Sequence, residues 1–151
     1  MPPRSIRFFL DENLPPQIAR ALALVGYPIT HPEDHDKRGE KDPDLIAWLG
    51  RNQFVWITKD DDARKRYINQ IGQAGVSVVW VRGLDGRKNR VNTQQVHLML
   101  TVKLQDLVEK LQEATVPRHF MLYLSGKRPV LKPLQADTIQ PRKALRARKG
   151  R

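Results

Sequence analysis

The 151-residue chain contains no cysteine, and this absence excludes disulfide bonds, thiolate metal sites and cysteine nucleophiles. It also has no apolar run near the roughly 20 residues that a transmembrane helix requires. The N-terminal stretch, MPPRSIRFFLDEN, has only the short segment IRFFL before an acidic residue, so it does not resemble a secretory signal. We therefore expect a cytoplasmic protein that does not enter a membrane.

Several motifs of known chemistry are missing as well. Neither GxxxxGK(S/T) nor GxGxxG occurs, which argues against a glycine-rich loop that binds nucleotide phosphates. His31 and His35 have neither HxH nor HExxH spacing, and this favours ordinary loop side chains over zinc ligands.

Basic residues are concentrated at the C-terminus. The chain has 27 Lys and Arg against 16 Asp and Glu, and residues 116–151 hold ten of the bases but only one of the acids. The net charge of +11 therefore divides into +2 for residues 1–115 and +9 for the remainder. We predict a folded body at 1–115 and a basic extension at 116–151, in which Arg128, Arg142 and Lys143 bind RNA. The alternative is a solvated tail that serves only solubility.

Strand-like and helix-like segments alternate over the predicted body. Short apolar, β-branched runs predict strands at 6–10, 27–30, 54–58 and 76–81. Helical spacing of apolar residues predicts helices at 15–25, 42–52, 62–74 and 94–114, the last capped by Thr93. This alternation predicts an α/β fold, with a central, mainly parallel sheet of four or five strands flanked by helices. Residues 119–125 are a candidate edge strand, and the rest of the extension, which ends in QPRKALRARKGR, is predicted to be largely disordered.

Acidic residues gather where the predicted strands end. Two follow the first strand, three follow the third, and two open the intervening helix: Asp11, Glu12, Asp60, Asp61, Asp62, Asp42 and Asp44. Because sites in open parallel sheets form at the carboxyl ends of strands, we expect these groups to converge. Clustered carboxylates repel one another, and a helix dipole relieves only about 0.3–1 kcal/mol per charge. Mg²⁺ or Mn²⁺ prefers such oxygen ligands, activates water and stabilises phosphoryl charge, so we predict metal-dependent hydrolysis of phosphodiester bonds.

Four segments between residues 5 and 84 form a recognisable series: FLDENLPPQIARAL, DPDLIAWL, VWITKDDDAR and VSVVWVRG. Together they resemble the PIN-like domains of bacterial toxin–antitoxin modules, in the VapC-like subgroup with DENLP and T-K-D-x-D motifs. The resemblance implies a small, three-layer α/β ribonuclease whose acidic residues bind Mg²⁺ or Mn²⁺. It also implies a toxin that cuts RNA and is silenced by a cognate antitoxin. Assembly into a homo-oligomer is compatible with this interpretation.

The resemblance also indicates which residues of this chain correspond to the acidic metal ligands of the family. The motifs DEN, D-P-D and T-K-D-x-D place the metal ligands at Asp11, Asp42, Asp60 and Asp62. Asp44 is the alternative second acid and is kept as a candidate catalytic residue, whereas Asp61 takes the variable position. Ala63 stands where the family commonly has an aromatic residue, so the packing behind the site departs from the pattern.

Polar and basic residues beside the acids are candidates for contact with RNA: Asn13, Lys59, Arg64 and Arg82. The alternative for Asn13 is a turn-stabilising amide, and for Lys59 and Arg64 it is a solvated cation. The alternative function is a catalytically silent PIN-like module that binds RNA or a protein through the basic extension. A receiver domain also has acids after its first and third strands, but the contexts DENLPP and TKDDD fit it poorly.

Overall fold

The computed structural model describes residues 5–37, 39, 42–84, 91–114 and 117–134, and for residues 61–64 and 84 it describes the backbone alone. The described residues form one sheet with the strands β1 (Arg7–Leu10), β2 (Ile29–Thr30), β3 (Phe54–Thr58), β4 (Val78–Leu84), β5 (His119–Ser125) and β6 (Arg128–Leu134). The helices are α1 (Pro16–Leu24), α2 (Asp42–Arg51), α3 (Asp61–Ala74) and α4 (Thr93–Gln112), with a 3-10 turn at Pro32–His35. The predicted α/β fold is confirmed.

The sheet is mainly parallel, as predicted. The strand order is β2-β1-β3-β4-β5-β6, and every neighbouring pair is parallel except β5 with β6. Parallel neighbours need a crossover connection, which the helices between the strands provide. β4 lies between β3 and β5, and its residues Val78–Val81 are buried on both faces, as expected of a central parallel strand.

The structure corrects the prediction of an edge strand at 119–125. β5 lies inside the sheet, because Trp80 of β4 pairs with Met121 on one side and Val130 of β6 pairs with Tyr123 on the other. The sheet therefore has a sixth strand and continues across the predicted boundary at residue 115. The predicted disorder of the extension is wrong for β6, whose proline and basic residues conceal its strand character, and residues 135–151 lie outside the described residues.

Two apolar cores lie on the two faces of the sheet. Successive strand residues enter opposite cores, because side chains alternate between the faces of a strand. In β1, Phe8 and Leu10 join residues of α1 and α4, whereas Phe9 joins residues of α2 and α3. The helices thus cover both faces and leave the carboxyl edge of the sheet for polar residues. None of the described helices is long and apolar enough to cross a membrane.

Two helices differ in detail from the prediction. Asn92, rather than Thr93, caps α4, because its side chain accepts the N–H of Gln95 while the Gln95 side chain accepts the N–H of Asn92. In α3 the helical geometry is interrupted at Tyr67, where φ is −117° and ψ is 19°. The interruption separates the first residues of α3, beside Asp60, from the part of the helix that packs into the core.

Candidate active site

The pairing of β1 with β3 sets the position of the first acid. Leu10 pairs with Ile57, and the amide N–H of Asp11 donates to the carbonyl oxygen of Ile57 at 2.8 Å. Asp11 therefore lies beside Thr58, the last residue of β3, and Asp60 follows two residues later. The sheet itself brings the predicted acids of the first and third strands to one edge.

The hydroxyl of Thr58 connects three residues of this edge. It donates to Oδ2 of Asp11 at 2.6 Å, and it accepts from the N–H of Asp60 at 3.1 Å and from Nδ2 of Asn13 at 3.3 Å. Thr58 is fully buried and Asp11 is 7% exposed, so this network is shielded from water. Thr58 is absent from the predicted site residues, although its place between a buried strand and an acidic run is a signal that points to it.

Asp11 has an unusual protonation equilibrium. Burial raises the pKa of Asp11 from 3.8 to about 6, although hydrogen bonds from Thr58 and from the N–H of Glu12 oppose the shift. The negative charges of Asp42 and Asp60 raise this pKa further. Both carboxylates therefore interact electrostatically with Asp11.

The structure distinguishes the two acids of the D-P-D segment. Asp42 is the first residue of α2 and is half-buried, whereas Asp44 is exposed. Burial raises the pKa of Asp42, the charge of Asp60 raises it further, and the charge of Arg66 opposes the shift. The fold therefore places Asp42 where it interacts electrostatically with Asp11 and Asp60, while Asp44 lies at the exposed side of the same helical turn.

Further predicted residues lie either beyond the Thr58 network or among the side chains that the structure does not describe. Asp62 and Arg64 lie in the first turns of α3, where the side chains are outside the described part of the structure. Glu12 is exposed and accepts the N–H of Gly39 at 2.9 Å. His31 is buried, and its Nε2 lies 3.1 Å from the carbonyl oxygen of Leu14. This is a structural role, which the sequence favours over that of a zinc ligand.

The described basic candidates lie at the same edge as the acids. Lys59 follows β3 and is exposed, and Arg82 is half-buried near the end of β4, where the register with β5 shifts. Arg128 is exposed and pairs with Ser125 at the carboxyl end of β5. Three neighbouring strands thus place a basic residue near the acidic edge. Arg142 and Lys143 lie outside the described residues.

The fit of a divalent cation depends on the chemistry of the available donors. Within the described residues, no three His, Asp or Glu side chains are arranged as a metal-binding group. The converging donors are nevertheless all oxygens, which Mg²⁺ and Mn²⁺ prefer, and Asp11 keeps free lone pairs after its two hydrogen bonds. Oδ1 of Asn13 is buried and accepts no hydrogen bond in the described part of the chain. Donor type and charge therefore fit a hard cation.

The fold and this acidic edge together define a nuclease-like α/β domain. A family model described as a PIN like domain matches residues 6–83, which is just over half of the chain. The chain therefore belongs to the PIN-like domain family, whose members are generally nucleases. No curated protein and no solved structure matches the chain. The prediction of a PIN-like domain from the motifs is confirmed. The match does not show whether the chain belongs to the VapC-like toxin subgroup of that family.

Proposed function

We propose that the protein is a metal-dependent endoribonuclease and the toxin of a toxin–antitoxin module. The observation that carries this proposal is the Thr58 hydroxyl, which hydrogen-bonds to Asp11 and to the backbone of Asp60 at one edge of the sheet, with Asp42 interacting electrostatically with both acids. Neighbouring carboxylates repel one another and weaken the fold, so a function that uses their charge accounts for them. Membership of the PIN-like family supports hydrolysis of a phosphodiester bond.

The residues that would hold Mg²⁺ or Mn²⁺ are Asp11, Asp42 and Asp60, with Asp62 as the further ligand implied by the T-K-D-x-D motif. When bound, such an ion supplies an activated water and stabilises charge on phosphoryl oxygens. Thr58 orients the Asp11 carboxylate and restrains the backbone of Asp60 through its hydrogen bonds.

The basic residues supply attraction for the substrate. Lys59, Arg82 and Arg128 lie near the carboxyl ends of β3, β4 and β5, where contacts to RNA phosphates would position the chain without reading its sequence. The basic extension, with Arg142 and Lys143, adds a longer-ranged and salt-dependent attraction. We place the protein in the cytoplasm, with RNA as substrate and a cognate antitoxin as partner, and we leave a homo-oligomer open.

Cleavage of single-stranded RNA by the purified protein in Mg²⁺ or Mn²⁺ tests the nuclease proposal. Asp11→Asn and Asp60→Asn are expected to abolish cleavage, as is chelation of the metal. Asp106→Asn is the matched control, because Asp106 lies in the second half of α4, where its neighbour Gln105 adjoins Ser5 and Ile6 at the opposite end of β1. Full activity in both Asp11→Asn and Asp60→Asn would overturn the proposal.

The same assay identifies the second acid. Asp42→Asn is expected to be inactive and Asp44→Asn active, because only Asp42 is half-buried among the other acids. The reverse result would assign the role to Asp44.

The toxin proposal has its own test. Expression of the wild-type chain in bacterial cells is expected to arrest growth, and expression of Asp11→Asn is not. Co-expression of the product of a small neighbouring gene should restore growth. Normal growth with a chain that cleaves RNA in the purified state would overturn the toxin role and leave the nuclease role intact.

The second candidate is a catalytically silent PIN-like module that binds RNA or a protein. The observation that favours it is the lack, among the described side chains, of a ready three-ligand metal group. RNA binding that persists in Mg²⁺ or Mn²⁺ without any cleavage would select this candidate.

A further inference from the structure

A groove of about 280 Å³ adjoins the acidic edge. Its lining includes residues from the loop after β1, the loop after β3 and the first turn of α4, among them Glu12, Asn13, Leu14, Lys59, Thr93 and Val96. Asn13 hydrogen-bonds to Thr58, which in turn holds Asp11, and Lys59 stands between Thr58 and Asp60. The groove and the acidic site therefore share a wall.

The groove combines an apolar floor with a polar rim. Pro15, Pro16 and Val91 are half-buried and contribute apolar surface above the buried Leu14 and Val96, whereas Lys59 and Thr93 are exposed at the rim. An apolar body with a few placed polar groups is the usual composition of a small-ligand pocket. The volume lies just below the range of about 300–1,000 Å³ for pockets that hold drug-sized molecules, so it suits one nucleoside and not a duplex.

The amide of Asn13 has an orientation that its neighbours impose. Thr58 has one hydroxyl proton, and it is committed to Asp11 at 2.6 Å, so Thr58 can only accept from Asn13. Nδ2 of Asn13 must therefore face Thr58, and Oδ1 must lie on the other side of the amide. This oxygen is buried and accepts no hydrogen bond among the described residues, and Asn13 is one of the residues that line the groove.

We propose that the groove binds one unpaired nucleotide of the RNA substrate beside the scissile phosphate. The inference rests on the proposed nuclease function. The base packs against Pro15 and Val91, the Lys59 ammonium contacts a phosphate oxygen, and Oδ1 of Asn13 accepts a hydrogen bond from the nucleotide. Single-stranded RNA suits this site, because unpaired bases can leave the stack and enter a pocket. The donor to Asn13 is either the ribose 2′-hydroxyl or an exocyclic amine of the base.

A variant that blocks the groove tests the proposal. Thr93→Trp places a large side chain at the rim, and Thr101→Trp is the matched control, since Thr101 is an exposed residue of the same helix, eight residues further along the chain. Binding of a labelled single-stranded oligoribonucleotide is measured by fluorescence anisotropy in EDTA, with enough salt to suppress attraction by the basic extension. Thr93→Trp is expected to bind about tenfold more weakly and Thr101→Trp as the wild type. Equal affinity of Thr93→Trp and the wild type would overturn the proposal.

A measurement on the wild-type protein removes any dependence on how the variants fold. Adenosine and cytidine 5′-monophosphates are titrated into the isotopically labelled protein and followed by NMR. The side-chain amide of Asn13 and the methyl groups of Val91 and Val96 are expected to shift. Shifts confined to residues away from the groove would contradict the proposed site.

The role of Asn13 is resolved by comparing substrates. If the donor is the 2′-hydroxyl, Asn13→Ala is expected to lose the preference for RNA over DNA of the same sequence. If the donor is an exocyclic amine, Asn13→Ala is expected to lose the preference for oligo(A) or oligo(C) over oligo(U). A variant that changes neither preference would overturn the role of Asn13.

These outcomes are separable from those of the nuclease assay. Binding in EDTA needs no metal, so a protein that uses the groove but never cuts RNA overturns only the proposed function. A Thr93→Trp variant that binds and cuts RNA normally overturns only the groove.

Discussion

The hydroxyl of Thr58 donates a hydrogen bond of 2.6 Å to Oδ2 of Asp11, and this contact joins the ends of β1 and β3 at the candidate site. The same oxygen accepts the N–H of Asp60 at 3.1 Å, so one buried side chain restrains two of the acids. With Asn13 as the third partner, the single donor and both lone pairs of the hydroxyl are occupied. Thr58 is therefore a positioning residue and not a group that contacts substrate.

Replacement of Thr58 is expected to act through Asp11. Thr58→Val keeps the shape of the side chain but removes the hydroxyl, and we expect cleavage to fall by roughly 10–100-fold, as for other residues that orient metal ligands. The hydrogen bond from Thr58 lowers the pKa of Asp11, so its loss should move the acid limb of the pH–rate profile to higher pH. Thr58→Ser should restore both the rate and the profile. A slow Thr58→Val variant with an unshifted profile would contradict this role.

The ionisation of Asp11 is expected to weaken the fold at neutral pH. Its pKa is about 6 in the folded state, where burial is the main cause, against 3.8 in an unfolded chain. Between these values the folded state holds a proton that the unfolded state has released. The free energy of unfolding therefore decreases as the pH rises from about 4 to 6, by roughly 3 kcal/mol.

His119 has the opposite effect over nearly the same range. Burial lowers the pKa of His119 from 6.5 to about 4, and its neutral Nδ1 accepts the N–H of Val78 at 3.2 Å. Below pH 6.5 the unfolded chain binds a proton that the folded chain takes up only near pH 4. The free energy of unfolding therefore decreases as the pH falls through this window, again by roughly 3 kcal/mol.

Single replacements are expected to reveal these opposing dependences. In the wild type the two contributions nearly cancel between about pH 4 and 6. His119→Gln leaves the Asp11 contribution, so stability should rise as the pH is lowered, whereas Asp11→Asn leaves the His119 contribution, so stability should fall. Urea denaturation across this range measures both slopes. Slopes of the same sign in the two variants would contradict the assignment.

The features that the sequence predicts correctly depend on local spacing. β3 has the predicted bounds because each of its residues, Phe54–Thr58, is apolar or β-branched and buried. Asp11 and Asp60 follow from the ends of their strands, since parallel neighbours end at one edge. The choice between Asp42 and Asp44 stays open in the sequence, because it depends on how α2 is rotated against the sheet.

The features that the sequence conceals depend on contacts between distant residues. The role of Thr58 requires the knowledge that Asp11, 47 residues away, is its neighbour. β6 has proline at two of its seven positions, and proline within a run argues against a strand unless the strand lies at an edge. Neither the contact between Thr58 and Asp11 nor the pairing of β6 with β5 leaves a periodic signal in the sequence.

Two glycines give a matched test of helix packing. At Gly50 of α2 an added Cβ would lie 2.4 Å from the carbonyl oxygen of Ala74 in α3, whereas an added Cβ at Gly72 of α3 meets nothing within 4 Å. Gly50→Ala is expected to destabilise the protein by about 1–3 kcal/mol, because the two helices must move apart. Gly72→Ala should stabilise it by about 0.5–1 kcal/mol, because alanine favours a helix interior. Thermal unfolding compares the two, and a stabilising Gly50→Ala would contradict the close approach.

β6 ends the sheet with an edge that resists pairing with another chain. In an antiparallel pair, residues that hydrogen-bond to the neighbouring strand alternate with residues whose backbone faces outward. Pro129 and Pro133 have no N–H, so they take outward positions, and Leu131 between them is the outward residue that still offers a donor. An edge with so few donors is a poor template for a further strand.

Truncation is expected to separate the role of β6 from that of the basic residues beyond it. Deletion of 126–151 removes β6 and leaves the edge of β5 unpaired, so we expect a lower melting temperature and aggregation. Deletion of 135–151 keeps every described strand and removes six Lys and Arg with one Asp. It should preserve the melting temperature while it weakens RNA binding and its dependence on salt. Thermal unfolding, light scattering and a salt titration of RNA binding test both chains, and a monomeric, folded 1–125 fragment would contradict the role of β6.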